Sequence, residues 1–181
     1  MKIAYVSIEG RGETDRFIAL VAARLEASGL RLAGTVQINT DRSDRTKCDM
    51  ALRVLPDGPA IRISEDRGGH ARGCILDSGA LEQTVVEVMQ RFDGADCLIV
   101  NKFGKRESEG RGLIPVIAEA VDRGLPVLVG VNGLNLPEFI SFTGGMAHAL
   151  SPEVTAVADW CLGKAFSPTR GSAIVLENSL L

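Results

Sequence analysis

The sequence predicts an α/β protein with three layers: a mostly parallel sheet, helices on both of its faces, and a β-hairpin inserted beside it. Two observations carry this. Short apolar, strand-like runs alternate along the chain with segments whose apolar residues recur at helical spacing, an order that implies right-handed crossovers between parallel strands. Two further strand-like runs flank Pro56-Asp-Gly-Pro59, a turn signal that joins antiparallel neighbours. A length of 181 residues, 45% of them apolar and 24% charged, fits one globular domain over 1–181 with a substantial core.

Taken in order, Lys2–Ser7 reads as the first strand and Ile8–Thr14 as a glycine-bearing loop. Asp15–Ser28 carries Phe17, Leu20, Val21 and Leu25 near helical spacing and stops at Gly29. Leu32–Ile38 is a second strand, and Thr40–Lys47 a polar, basic loop. Met50–Leu55 and Ala60–Ser64 form the hairpin. A helix follows from Ser78 to about Phe92, with Leu81, Val85, Val88 and Met89 facing inward and Asp77 or Ser78 as its cap. Ala95–Val100 is the next strand, about Gly110–Arg123 a helix, and Leu125–Val131 a strand with Pro126 at its entry. Pro137–Gly145 reads as a loop or short helix, Pro152–Leu162 as the last clear helix, and Ala173–Leu176 as a short edge strand.

Composition excludes several functions. A net charge of −3 and 4% aromatic residues argue against a broad nucleic-acid surface or base-stacking platforms. No apolar run approaches the ~20 residues that span a bilayer, and Met1–Val6 enters a strand pattern without a signal-peptide layout, so the expected location is the cytoplasm. Cys48, Cys74, Cys97 and Cys161 are too dispersed for a zinc ribbon or a C-x-x-C redox pair. Cys97 and Cys161 read as small core residues, whereas Cys48 and Cys74 sit in polar surroundings and stay open as reactive thiols.

The richest segment is 95–112. An apolar run through Val100 breaks into Asn101, Lys102, Gly104, Lys105, Arg106, Glu107, Glu109, Gly110, Arg111 and Gly112. In parallel α/β sheets ligands sit at the carboxyl ends of strands, and cations among glycines favour an anion. The simpler alternative is a solvated loop that opens a helix. The loop Glu9–Thr14 occupies the place of a phosphate-binding loop between first strand and first helix. It departs from G-x-x-x-x-G-K-[ST]: the loop reads as short, no lysine follows Gly12, and Glu13 stands where the cation belongs. Gly10, Arg11, Gly12 and Thr14 still suit a generic anion site that uses amides at a helix start. In Asp66–Asp77, His70, Cys74 and Asp77 form a second candidate ligand loop, although His-x-x-x-Cys among glycines fixes no geometry and Asp77 also serves as a helix cap. Asn132–Gly145 reaches the same sheet edge, where Phe139 and Phe142 wall a pocket or pack in the core; His148 reads as a helix histidine.

The strand at 95–100 followed by Asn101-Lys102, Phe103, Gly104-Lys105 and Glu107 resembles the Walker B region of THEP1-type P-loop nucleoside-triphosphatases, with Asn101-Lys102 where that family has a pair of acids. Val36-Gln37, the hairpin at Asp57-Gly58 and Gly124–Val131 are similar in order. Over about residues 1–163 the chain more closely resembles DUF2478, a bacterial family of unknown function. Gly34-x-x-Gln37, Gly73-Cys-Ile-Leu-Asp77, Val100-Asn-Lys-Phe-Gly-Lys-x-Glu107, Gly110-x-Gly112 and Phe142-x-Gly-Gly145 carry the likeness. It implies a P-loop-NTPase-like fold with degenerate Walker motifs and, in some members, a gene context of molybdenum transport or cofactor synthesis.

The expected function is non-hydrolytic binding of a small oxyanion, molybdate or tungstate in the context the resemblance implies. Gly10, Arg11, Gly12, Thr14, Asn101, Lys102, Gly104, Lys105, Glu107 and Arg111 are the expected ligand contacts. No catalytic residue, metal ligand or magnesium ion is expected, since the Walker lysine and acids are absent. The alternatives are a nucleoside-triphosphatase with an unorthodox phosphate site that uses Thr14 with Glu107 or Glu109, and an interaction subunit whose 101–112 loop docks a protein partner. Homodimerisation is open; nucleic acid and membranes are not expected partners.

Overall fold

The computed structural model describes residues 1–40, 49–65 and 75–164. In chain order the elements are β1 (Ile3–Val6), α1 (Glu13–Ala27), β2 (Leu32–Thr40), β3 (Asp49–Leu55), β4 (Ala60–Arg62), β5 (Ser64–Glu65), β6 (Ile75–Leu76), α2 (Ser78–Gln90), β7 (Cys97–Phe103), α3 (Lys105–Ser108), α4 (Ile114–Asp122), β8 (Val127–Val131), α5 (Leu136–Phe142), β9 (His148–Ala149) and α6 (Val154–Cys161). The main sheet has seven strands in the order β4-β3-β2-β7-β8-β1-β9. Its β2-β7-β8-β1-β9 part is parallel, and β3 and β4 extend it as antiparallel strands, so the α/β class and the hairpin stand as predicted. A second, two-stranded sheet pairs β5 with β6.

Successive residues of a strand point to opposite faces, and β7 divides accordingly. Leu98 and Val100 pack on one face with Phe92, Ile117 and Phe139. Cys97 and Ile99 pack on the other with Phe17, Val21, Leu25 and Val157. The result is three layers, with α1 and α6 on one side and α2, α4 and α5 on the other. Leu52, Ile63 and Leu81 make a third, smaller cluster under the antiparallel edge. Cys97 and Cys161 are buried free thiols, and the neighbouring Cys161 sulfur together with burial pushes the Cys97 thiol up.

Several details differ from the sequence reading. Leu20 and Met89 are exposed, because α1 and α2 each bury a narrower stripe than the spacing suggested. β2 runs through Thr40 because β3 pairs with it from Gly34 to Thr40. β7 continues through Asn101 and Lys102 to Phe103, so these residues belong to the strand itself. His148 is an exposed residue of β9 paired beside β1, and not a helix residue. Cys48, His70, Cys74 and Ala173–Leu176 lie outside the described residues. Among the described residues, no helix is long and apolar enough to cross a membrane.

Candidate anion site at the carboxyl edge of the sheet

Two adjoining cavities open where β1, β2, β7 and β8 end. The smaller, about 50 Å³, is lined by Gly10, Gly12, Thr14, Asp15, Asn101 and Lys102, among others. The larger, about 550 Å³, lies between β2, β3, α2 and α3. Lys102 and Asn132 line both, so the loops after β1, β7 and β8 meet at one place.

The loop after β1 is held by its own backbone. Gly12 adopts φ +77° directly before α1. The Thr14 hydroxyl accepts from the Ile8 amide at 3.1 Å and donates to the Ile8 carbonyl at 3.3 Å, which closes the turn. Counting back from Thr14, Gly12 falls on the second glycine of G-x-x-x-x-G-K-[ST], Glu13 on the lysine and Ser7 on the first glycine. The loop therefore has the full spacing and is not short; what differs is the residue at two positions. Glu13 turns away to Arg16 at 2.6 Å.

Asp15, which the sequence reading did not single out, is the hub of the site. It is buried at 7% exposure. Its Oδ1 accepts from Asn101 Nδ2 at 2.9 Å, and its Oδ2 from Gln37 Nε2 at 3.1 Å and Asn39 Nδ2 at 3.2 Å. Three amide donors thus compensate one buried carboxylate, as burial of a charge requires. The Asn101 bridge reaches α1 past β8, and Gly130 makes room for it: a Cβ there would lie 2.2 Å from the Asn101 carbonyl oxygen and 3.1 Å from Thr14 Cγ2. Because Asn101 Nδ2 faces a carboxylate, its amide orientation is fixed, and Oδ1 is left buried without a partner. Thr35 Oγ1, on the wall of the larger cavity, is likewise buried and unpartnered. The sequence signals for this network are the buried-face Asp in the first turn of α1 and Gln37 in Gly34-x-x-Gln37.

Glu107 holds the next loop. Its Oε2 accepts from the Gly104 amide at 2.9 Å and its Oε1 from the Leu113 amide at 3.2 Å. Burial raises its pKa from the ordinary 4.5, with the Gly104, Leu113 and Glu107 backbone amides and Lys102 acting in the opposite direction. Both oxygens are thereby engaged in closing the turn, although the side chain borders the larger cavity. Glu107→Gln is expected to cost about 1–3 kcal/mol, because an NH2 must face one of those amide donors. A carboxyl whose folded pKa is raised contributes fully below its unfolded pKa and loses that contribution as pH rises through the folded value. Wild-type stability therefore acquires a downward slope above about pH 4.5 that Glu107→Gln lacks. Urea unfolding of both proteins across acid pH measures it.

The cations divide. Lys102 is exposed at the junction of the cavities. Lys105 and Arg106 rim the larger one, each about 3.9 Å from Glu109, and Arg106 also donates to the Ser78 hydroxyl. Gly104 lies on that rim too. Arg11 and Arg111 are exposed and line neither of the two cavities. Asp77 caps α2 by accepting from the Ala80 amide at 3.0 Å. Phe139 is core, in edge contact with Tyr5 and Phe103, whereas Phe142 is partly exposed. Among the described residues no group of three or more metal-ligating side chains converges.

The architecture is that of the P-loop-NTPase-like α/β class. The solution structure of a human cancer-related nucleoside triphosphatase superposes with a TM-score of 0.58 at 13% identity, over 83% of this chain and 88% of that one. Within that class the chain belongs to DUF2478, a family described as protein of unknown function, whose model matches residues 3–160. A molybdenum import ATP-binding protein (ModC 2) of Bradyrhizobium diazoefficiens is 32% identical over 162 residues, 88% of this chain. The chain spans only 18% of that relative's length.

Proposed function

We propose that this protein binds a small oxyanion without hydrolysing it, at the junction of the β1, β7 and β8 loops, and that it serves molybdenum metabolism with molybdate or tungstate as the ligand. The observation that carries this reading is the set of groups around the smaller cavity. Lys102 contributes a cation beside glycine-rich turns at the start of α1; of the three acids there, Glu13 pairs with Arg16, Asp15 accepts from three amides, and Glu9 does not line the cavity. Helix starts of this kind stabilise anions through unpaired amides and the helix dipole.

Hydrolysis lacks its usual parts. Glu13 stands at the position of the phosphate-binding lysine, and Asn101-Lys102 stands at the end of the strand where Walker B acids would hold magnesium and orient water. Thr14 Oγ1 is engaged with Ile8. The link to molybdenum rests on the name of the Bradyrhizobium relative.

Thermal unfolding with molybdate, tungstate, sulfate, phosphate, ATP and GTP, each with and without magnesium, tests the reading. A ligand that binds only the folded state raises the melting temperature, with about 2.7 kcal/mol of stabilisation at one hundred times its Kd. The expected result is a rise with an oxyanion alone that disappears in Lys102→Ala, whose own stability changes by no more than about 0.5 kcal/mol at this exposed position. A rise only with magnesium nucleotides, together with phosphate release, would overturn the reading in favour of a nucleoside-triphosphatase.

A further inference from the structure

The larger cavity is out of proportion to an inorganic ion. At about 550 Å³ it has roughly ten times the volume of the pocket beside it, and it falls within the ~300–1,000 Å³ range of organic-ligand sites. Its inner wall is aliphatic: Leu52, Ile63 and Leu81 form their own small cluster, with Met50 and Leu76 packed against it. Its mouth carries Lys102 at the junction, and Lys105 and Arg106 on the rim beside Glu109. Thr35 is fully buried, borders the cavity, and leaves its hydroxyl oxygen without a hydrogen-bond partner. A buried hydroxyl that lacks a partner costs free energy comparable to a lost hydrogen bond, so a site that retains one is suited to a ligand that supplies the partner.

We infer that this cavity receives the body of an organic phosphate: an apolar ring system with a carbonyl or hydroxyl directed at Thr35, and an anionic end that lies by Lys102. Aliphatic walls favour a ring over a solvated sugar because apolar area leaves water on binding. Lys102 and Asn132 line both cavities, so a charged end that points from this cavity toward the smaller one passes beside them. The placement of that end rests on the anion reading above; the ring compartment does not.

Calorimetric titration with methylumbelliferyl phosphate, a fused ring carrying a carbonyl and a phosphate ester, against inorganic phosphate tests the inference. The ring compound is expected to bind at least about tenfold more tightly than phosphate. Leu81→Trp, which fills the cavity, removes that advantage and leaves phosphate affinity within about twofold. Met50→Trp, at a half-buried position, does the same should the first variant fail to fold. Thr35→Val lowers affinity for the ring compound by about five- to tenfold while sparing phosphate. Equal affinity for the two ligands, or a ring advantage that survives Met50→Trp, would overturn the inference. Filler-sensitive binding of the ring compound with no binding of any inorganic oxyanion would support the compartment and overturn the oxyanion reading alone.

Discussion

Asn101→Asp is expected to destabilise the protein by about 3–5 kcal/mol at neutral pH, in the range found when a buried charge loses its partner. Asn101 Nδ2 lies 2.9 Å from Asp15 Oδ1, and the two side chains are 1% and 7% exposed. The substitution replaces a donor by a second carboxylate oxygen at that distance. Two adjacent buried carboxylates cannot both ionise at low cost, so the pair retains a proton and its folded titration moves upward. The sign follows from linkage. Below the unfolded carboxylate range, about pH 4, both states hold their protons and the penalty largely vanishes; it grows as pH rises through the folded pair's titration. Denaturant unfolding at about pH 3 and about pH 7.5 measures it. A loss under about 1 kcal/mol that is independent of pH would mean that the Asp15–Asn101 bridge does not hold the site together.

Gly34→Ala is expected to cost more than about 3 kcal/mol, and to leave little folded protein at physiological temperature. Gly34 sits inside β2, paired with Ile99 of β7 on one side and Leu55 of β3 on the other. Its φ is +105°, and a Cβ there would lie 1.9 Å from the Ile99 carbonyl oxygen. That oxygen belongs to the backbone of the central strand and cannot rotate away as a side-chain tip would. Gly29→Ala is the matched comparison: φ is +84°, but nothing lies within 4 Å of the added carbon. It should lose only the conformational cost of about 1–2 kcal/mol. The difference between the two variants isolates the close approach of β2 to β7, and similar losses in both would contradict it.

The layered fold was legible because its core strands are short apolar runs bounded by polar residues, proline or glycine, as in Cys97–Val100 between Asp96 and Asn101 and Val127–Val131 between Pro126 and Asn132. The direction in which loops converge was legible too, since parallel strands place their carboxyl ends at one edge. Residue roles were less so. Thr14 and Glu107 look like ligand contacts by residue type, yet their oxygens are engaged by the backbone of their own loops, a fact that spacing does not reveal. Asp15 carries no distinguishing signal by residue type, because an acid in the first turn of a helix ordinarily faces solvent and the dipole. Its burial depends on Gln37, Asn39 and Asn101, which arrive from two other strands. The larger cavity depends on the packing of β3 and α2 across the sheet edge, a relation between elements distant in sequence.

The most direct measurement of the central claim is an amide proton–nitrogen NMR titration of the protein with molybdate, without magnesium. The account predicts saturable shifts concentrated at the backbone amides of Gly10, Gly12, Thr14 and Lys102 and at the side-chain amide of Asn101, absent in Lys102→Ala. No shift up to millimolar molybdate, or shifts confined to residues away from the β1, β7 and β8 loops, would contradict it.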